Sequence, residues 1–197
     1  MNERHCKLVS DTLPYITFLD QLSIRLKVRR RIAATATVYF YRVFEKQSGR
    51  NLNTVASACL FLASKVEECP INIKEISGLS SNLEISDILD MELFVLQDLE
   101  FSLIVFHPYP LLNRYLTDMG HADCLSMAWN VMNDLYKNSI ILQYSPHSLA
   151  LGVIFFVLVF KNVELKDSCW SGERFNSVEA ACIIQNLLIV YNEMKFI

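Results

Sequence analysis

The chain has 197 residues, 52% of them apolar, with five glycines, five prolines and a net charge of −3. So few turn-formers argue against a loop-rich scaffold and for long helices, and the acidic balance lacks the broad basic footprint of a nucleic-acid binder. A mean hydropathy of +0.27 exceeds what a small soluble domain needs, so some apolar surface is expected to face a partner.

Asp11 or Thr12 can cap a first amphipathic helix, with Pro14 in its opening turn and Leu13, Ile16, Leu19, Leu22 and Leu26 at helical spacing. A basic run follows from Arg25 to Arg31. It reads either as a solvated turn or as an anion dock in which Lys27, Arg29, Arg30 and Arg31 receive an acidic or phosphorylated segment of a partner. The second helix, IAATATVYFYRVF, ends before Gly49, and Arg42 inside it reads as a paired, structural arginine.

The stretch from Asn53 to Pro70 organises the chain. Thr54 to Val66 is apolar or small on every side, the pattern of a helix surrounded by protein. Asn53 can cap it and Pro70 stops it, while Ala56, Ala58 and Ala63 let neighbouring helices approach closely. Lys65 breaks the pattern, either as a cation favoured at a helix C-terminus or as a functional charge, and Glu67 and Glu68 read as a solvated helix end. A short fourth helix spans Ile71 to Leu79, and a fifth starts at Ser86 or Asp87. On the fifth, Glu92 shares a stripe with Ile88, Val95, Leu96 and Leu99, as an edge glutamate or as a carboxylate set in an apolar patch.

His107, Pro108, Tyr109 and Pro110 form a stiff break, which places a boundary between modules Met1–Phe106 and His107–Ile197. Beyond it, Leu111 to Met119 is a helix ended by Gly120, and Cys124 to Leu142 is a longer one carrying Trp129 and Tyr136. Ser145 then caps an apolar helix with Pro146 at its first position. That helix echoes the central one at an offset of 94 residues: Ala56 with Ala150, Ala58 with Gly152, Leu60 with Ile154, Phe61 with Phe155. The echo suggests duplication of a five-helix unit. A weaker segment around Trp170 and a capped helix from Ser177 to Lys195 complete the second module.

No Walker-type loop, GxGxxG, HExxH or GxSxG occurs, and His5, His107, His121 and His147 stand apart without acidic or thiol partners at local spacing. Six cysteines show no CxxC spacing and read as small hydrophobes of a reducing compartment. No metal and no cofactor is expected. Leu149 to Phe160 is too short for a membrane span, which needs about 20 residues, and MNERHCKLVSD lacks the apolar segment of a secretory signal. An intracellular protein follows as the expectation.

SKVEE at Ser64–Glu68 and MELFVL at Met91–Leu96 resemble the third and fifth helices of a cyclin box. With IAATATVYFYRVF, SLIVFHPY, DMG and AWNVMNDLY, nearly the whole chain resembles the cyclin-C family, the cyclins of the Mediator kinase module. The resemblance implies an all-α tandem cyclin-box fold of two five-helix modules. It further implies a nuclear regulatory subunit, itself no enzyme, that binds and activates a transcriptional cyclin-dependent kinase alongside other Mediator kinase-module subunits. Direct nucleic-acid or membrane contact is not expected. Lys65 and Glu92 match the family's kinase-gripping pair, with Leu62, Val66, Leu96 and Leu103 as apolar neighbours. A kinase-free transcription scaffold like transcription factor IIB is the alternative; it calls for a broad basic face, where this chain offers the run at Arg25–Arg31. Three features depart from the family pattern: little room before the first helix for an extra kinase-selecting helix, a short segment between Cys69 and Ser86, and no tail after the last helix.

Overall fold

A computed structural model describes residues 3–47, 49–79, 83–163 and 176–194, with side chains from Asp11 onward. Among them every regular element is helical, as expected: α1 (Glu3–Arg25), α2 (Arg30–Phe44), α3 (Leu52–Val66), α4 (Ile73–Leu79), α5 (Ile85–Asp98), α6 (Tyr109–Asp118), α7 (Leu125–Leu135), α8 (Pro146–Phe160) and α9 (Ser177–Met194). The contacts divide the chain into Asp11–Val105 and a second unit that runs from Phe106 and takes in the first ten residues.

In the Asp11–Val105 unit, α3 is the core. It is buried from Thr54 to Ser64 and packs chiefly against α2 and α5. Ala33, Ala34 and Ala36 of α2 and Ala56, Ala58 and Ala63 of α3 are buried, as are Phe40 and Leu60, and small side chains let packed helices approach closely. Each large apolar side chain removed from water here contributes about 1.5–3 kcal/mol.

Several helix ends differ from expectation. α1 does not start at Asp11 or Thr12; it begins at Glu3 and passes through Pro14. An interior proline forfeits one backbone bond and costs about 3 kcal/mol, an amount that burying Leu13, Ile16, Leu19 and Leu22 outweighs. Thr12 is no cap either, being buried and hydrogen-bonded to Tyr41. The cap of α3 is Asn51, whose side chain accepts from the Asn53 amide at 3.0 Å. α5 starts at Ile85, just before Ser86 and Asp87, with Glu84 at the cap position.

Four helix exits among the described residues are closed by non-glycine residues in the left-handed region, those of α1 and α8 by Lys27 and Asn162, both at φ 53. After α3, Glu68 (φ 56) lets the Cys69 amide reach back to the Ser64 carbonyl at 2.9 Å, and Pro70 follows. After α5, Glu100 (φ 53) and Phe101 (φ 57) are consecutive left-handed residues, and the Phe101 amide bonds the Leu96 carbonyl at 3.1 Å.

In the other unit α8 is the core and packs against α6, α7 and α9. α3 and α8 are each 15 residues long, and their bounds differ by the same 94 residues as the sequence echo. Ser145 caps α8 by accepting from the Ser148 amide, with Pro146 in the first turn as expected. Gly152 gives α9 room: a Cβ there would lie 3.1 Å from Ile183 side-chain carbons. The helix expected from Cys124 to Leu142 is instead α7 followed by a 3-10 turn at Ser139–Leu142. Buried Asn138 makes the break, capping the turn through the Ile140 amide at 2.9 Å while its Nδ2 donates to Asn186 of α9. Pro110 sits in the opening turn of α6, which begins at Tyr109. The segment around Trp170 and the residue Lys195 lie outside the described residues.

Candidate partner-binding site

Lys65 occupies the last turn of α3, where a cation complements the helix dipole, and Glu92 occupies the middle of α5. The α3–α5 packing brings the two together: Lys65 Nζ donates to Glu92 Oε1 at 2.7 Å and Oε2 at 2.8 Å. The same ammonium stands 4.0 Å from the centroid of the Phe61 ring one turn back on α3. The Lys65 side chain is 44% exposed and that of Glu92 10%. Glu92 is therefore not the surface residue that a partner-facing carboxylate suggests. Its Oε atoms are already engaged, and Lys65 carries the pair to the surface.

Around the pair, Leu62 is buried, and Val66 and Leu96 are half-buried. Leu103, also half-buried, lies in the irregular segment after α5 and is anchored through its backbone carbonyl, which accepts from the Tyr39 hydroxyl at 2.6 Å. The chain carries further apolar groups that the sequence reading did not single out. Leu89 and Leu93 follow Glu92 and Leu96 round the α5 surface, Leu93 with 62% exposed, and Phe101 (69%) and Ile104 (75%) stand out of the segment beyond it. Helical spacing points to Leu89 and Leu93. The outward set of Phe101 comes from its left-handed backbone, for which the sequence carries no glycine or asparagine marker.

The basic run divides. Arg30 Nη1 pairs with Asp20 Oδ1 at 2.6 Å and Arg31 Nε with Glu67 Oε2 at 2.5 Å, both within the chain. Lys27, at φ 53, and Arg29 are exposed. An open depression of about 470 Å³ adjoins this turn, lined by Arg25, Lys27, Glu75 and Leu79 among others. Glu67 is not part of a solvated helix end: its side chain is 10% exposed and also accepts from Thr35 Oγ1 at 2.6 Å. Arg42 is structural as expected, donating to the Ser102 carbonyl at 3.1 Å.

Two histidines meet partners distant in sequence, both tyrosines: His107 Nδ1 lies 2.9 Å from Tyr136 Oη, and His147 Nδ1 lies 2.7 Å from Tyr115 Oη. Burial pushes the Cys59 thiol up, away from nucleophilic character. Among the described residues no cluster of three His, Cys, Asp or Glu is placed to hold a metal, and no helix is long and apolar enough to cross a membrane.

A buried central helix packed chiefly between α2 and α5, with a lysine–glutamate pair joining its last turn to α5, is the arrangement that the resemblance to a cyclin box implies. The cyclin N-terminal domain family matches residues 11–104. Rat cyclin-C is 32% identical over 201 residues, covering 92% of this chain and 72% of that protein. The chain belongs to the cyclin family. Rice cyclin-C1-1 (Oryza sativa subsp. japonica) is 38% identical over 156 residues and Arabidopsis thaliana cyclin-C1-2 is 35% identical over 161, covering 74% and 76% of this chain. This chain spans 61% and 64% of the length of those two plant relatives. Among solved structures, a viral cyclin from herpesvirus saimiri superposes with a TM-score of 0.72 at 13% identity, covering 95% of this chain and 85% of that one. A chain of the yeast RNA polymerase II CTD kinase CTDK-1 complex reaches 0.73 at 20% identity, covering 98% and 71%.

Proposed function

We propose that the chain is the regulatory subunit of a transcriptional cyclin-dependent kinase, which it binds and activates, and that this kinase is the one of the Mediator kinase module. In this reading the protein acts in the nucleus on RNA polymerase II transcription, performs no catalysis itself, and contacts other Mediator kinase-module subunits. In the same reading, residues 107–197 are the second cyclin-box repeat. The observation that carries the reading is the Lys65–Glu92 pair with apolar side chains around it: Leu62, Val66 and Leu96 beside it, Leu103, Phe101 and Ile104 beyond α5. A bidentate pair amid apolar surface is suited to holding a partner's backbone directionally while burial supplies affinity. Support for a transcriptional partner comes from the cyclin-C relatives and from the likeness to chains in CTDK-1 and in yeast TFIIK (Kin28/Ccl1/Tfb3).

Titrating the purified chain into the Mediator-module kinase, with Kin28 as comparison, tests the assignment when phosphorylation of an RNA polymerase II C-terminal-repeat peptide is followed. Saturable binding with stimulated phosphorylation by the former is the expected result. Stimulation of Kin28 alone would reassign the kinase. Stimulation of neither, with retention on DNA, would favour the kinase-free scaffold.

A further inference from the structure

Five hydrogen-bond donors stand on one stripe of α2 and its exit. Arg31, Thr35, Tyr39, Arg42 and Lys46 follow one another at steps of four, four, three and four residues, which keeps them on one helical face. Arg31 and Thr35 donate to the two oxygens of Glu67, the residue that ends α3 two places after Lys65. Tyr39, Arg42 and Lys46 donate to backbone carbonyls leaving α5: Leu103 at 2.6 Å, Ser102 at 3.1 Å and Asp98 at 2.7 Å. The acceptors thus fall in two places, the cap that carries Lys65 and the segment that carries Phe101, Leu103 and Ile104. Carbonyls past a helix C-terminus have no partner within their own helix, so a neighbouring helix that supplies donors decides where that segment lies.

We propose that the α2 stripe is the positioning element of the partner-binding surface, with Thr35 setting the Lys65 cap and Tyr39 setting the segment from Phe101 to Ile104. The inference rests on the kinase-binding reading above. Neither hydroxyl touches the partner in this scheme. Each holds one edge of the surface in place before binding, so the edge need not be ordered at the moment of association. Glu100 and Phe101 add to the need, because left-handed backbone relaxes elsewhere once its anchor is gone.

Tyr39→Phe and Thr35→Val remove the hydroxyls and keep the volume. Hydrogen exchange of the isolated chain should accelerate at residues 101–105 in the first and 66–69 in the second, with the α3 interior unchanged. Affinity for the purified Mediator-module kinase should fall about three- to tenfold in each, the size expected for one lost hydrogen bond, and Thr35→Ser should restore it. Lys65→Ala serves as the control for the site itself. If it weakens binding while the two hydroxyl variants bind as wild type, the positioning role is overturned and the site stands. If Lys65→Ala binds as wild type, the site reading fails, and the exchange data alone decide the stripe. Exchange unchanged at both segments, or faster throughout the unit, overturns the proposal.

Discussion

Lys65 and Glu92 share a two-pronged hydrogen bond but not an environment: the ammonium end is 44% exposed and the carboxylate end 10%. Removing the lysine strands a nearly buried charge, whereas removing the glutamate leaves an ammonium free to turn to water. Truncating the glutamate should therefore spare folding, and truncating the lysine should not. Lys65→Met should destabilise the chain by about 1–2 kcal/mol in a urea melt, and Glu92→Leu by less. Lys65→Met combined with Glu92→Leu should recover most of that loss, since an apolar pair replaces an ionic one at little cost. Kinase affinity should nonetheless fall at least roughly thirtyfold in all three variants, because truncating a hydrogen-bonded interface charge costs about 2–5 kcal/mol. Full affinity in the double variant would refute the grip.

The basic run should separate into two behaviours. Replacing Arg30 and Arg31 by Gln breaks pairs to Asp20 and Glu67 and should lower the melting temperature with little change in the salt dependence of association. Replacing exposed Lys27 and Arg29 should leave the melt alone and flatten the dependence of the association rate on ionic strength, if the run docks an acidic or phosphorylated segment. A salt profile unaltered by the Lys27 and Arg29 changes would make those two residues part of a solvated turn.

Alkaline stability should fall in a defined window. Burial first, and Glu67 second, push the Tyr39 hydroxyl up from 10.0 to about 12; burial and then Asp134 do the same for Tyr191. The folded chain thus keeps these protons where the unfolded chain releases them. Stability from both groups is complete below pH 10, declines as pH rises, and is gone above about 12. Tyr39→Phe and Tyr191→Phe should each flatten the stability curve between those limits, as read by denaturant melts across pH. A slope unchanged in both would mean that these hydroxyls titrate as exposed tyrosines.

Gly152→Ala tests the close approach of α8 and α9. Its Cβ would meet three Ile183 side-chain carbons at 3.1 to 3.2 Å, one of them the branched Cβ, which cannot swing aside. Overpacking of this kind costs about 1–3 kcal/mol, against a gain of up to about 1 kcal/mol from replacing a helical glycine. The net expectation is destabilisation of about 1 kcal/mol, removed by a second change, Ile183→Val or Ile183→Ala. A variant more stable than the parent would show that α9 moves away without cost.

Much of this was legible in the sequence because it depends on local pattern. The run of apolar and small residues at Thr54–Val66, broken at Lys65, announces a surrounded helix, Ser145–Pro146 announces a helix start, and the 94-residue echo gives the bounds of α8 from those of α3. What escaped depends on contacts between distant residues. Nothing near Pro14 says that buried leucines on both sides will carry a helix through it. Asn138 reads as helix interior until Asn186 arrives from α9 to bond it. Glu67 resembles any acidic residue at a helix end, and its partners Arg31 and Thr35 lie on another helix, 36 and 32 residues earlier. Lys65 and Glu92 each interrupt an apolar stripe, a pattern that leaves an ordinary helix-end cation and an edge glutamate open; the resemblance to a cyclin box singled them out, and their pairing with each other appears once α3 and α5 are packed.

The paired left-handed residues Glu100 and Phe101 restrict which substitutions this corner of the protein can accumulate. Any side chain other than glycine, asparagine or aspartate is conformationally uphill there by about 1–2 kcal/mol, and valine, isoleucine and threonine more so. The backbone at position 101 thus favours a small residue while its outward position rewards an aromatic one. In a saturation library the two demands should pull apart: selection for folding alone enriches Gly and Asn at 101, and selection for kinase capture returns Phe, Tyr or Leu at the expense of thermal tolerance.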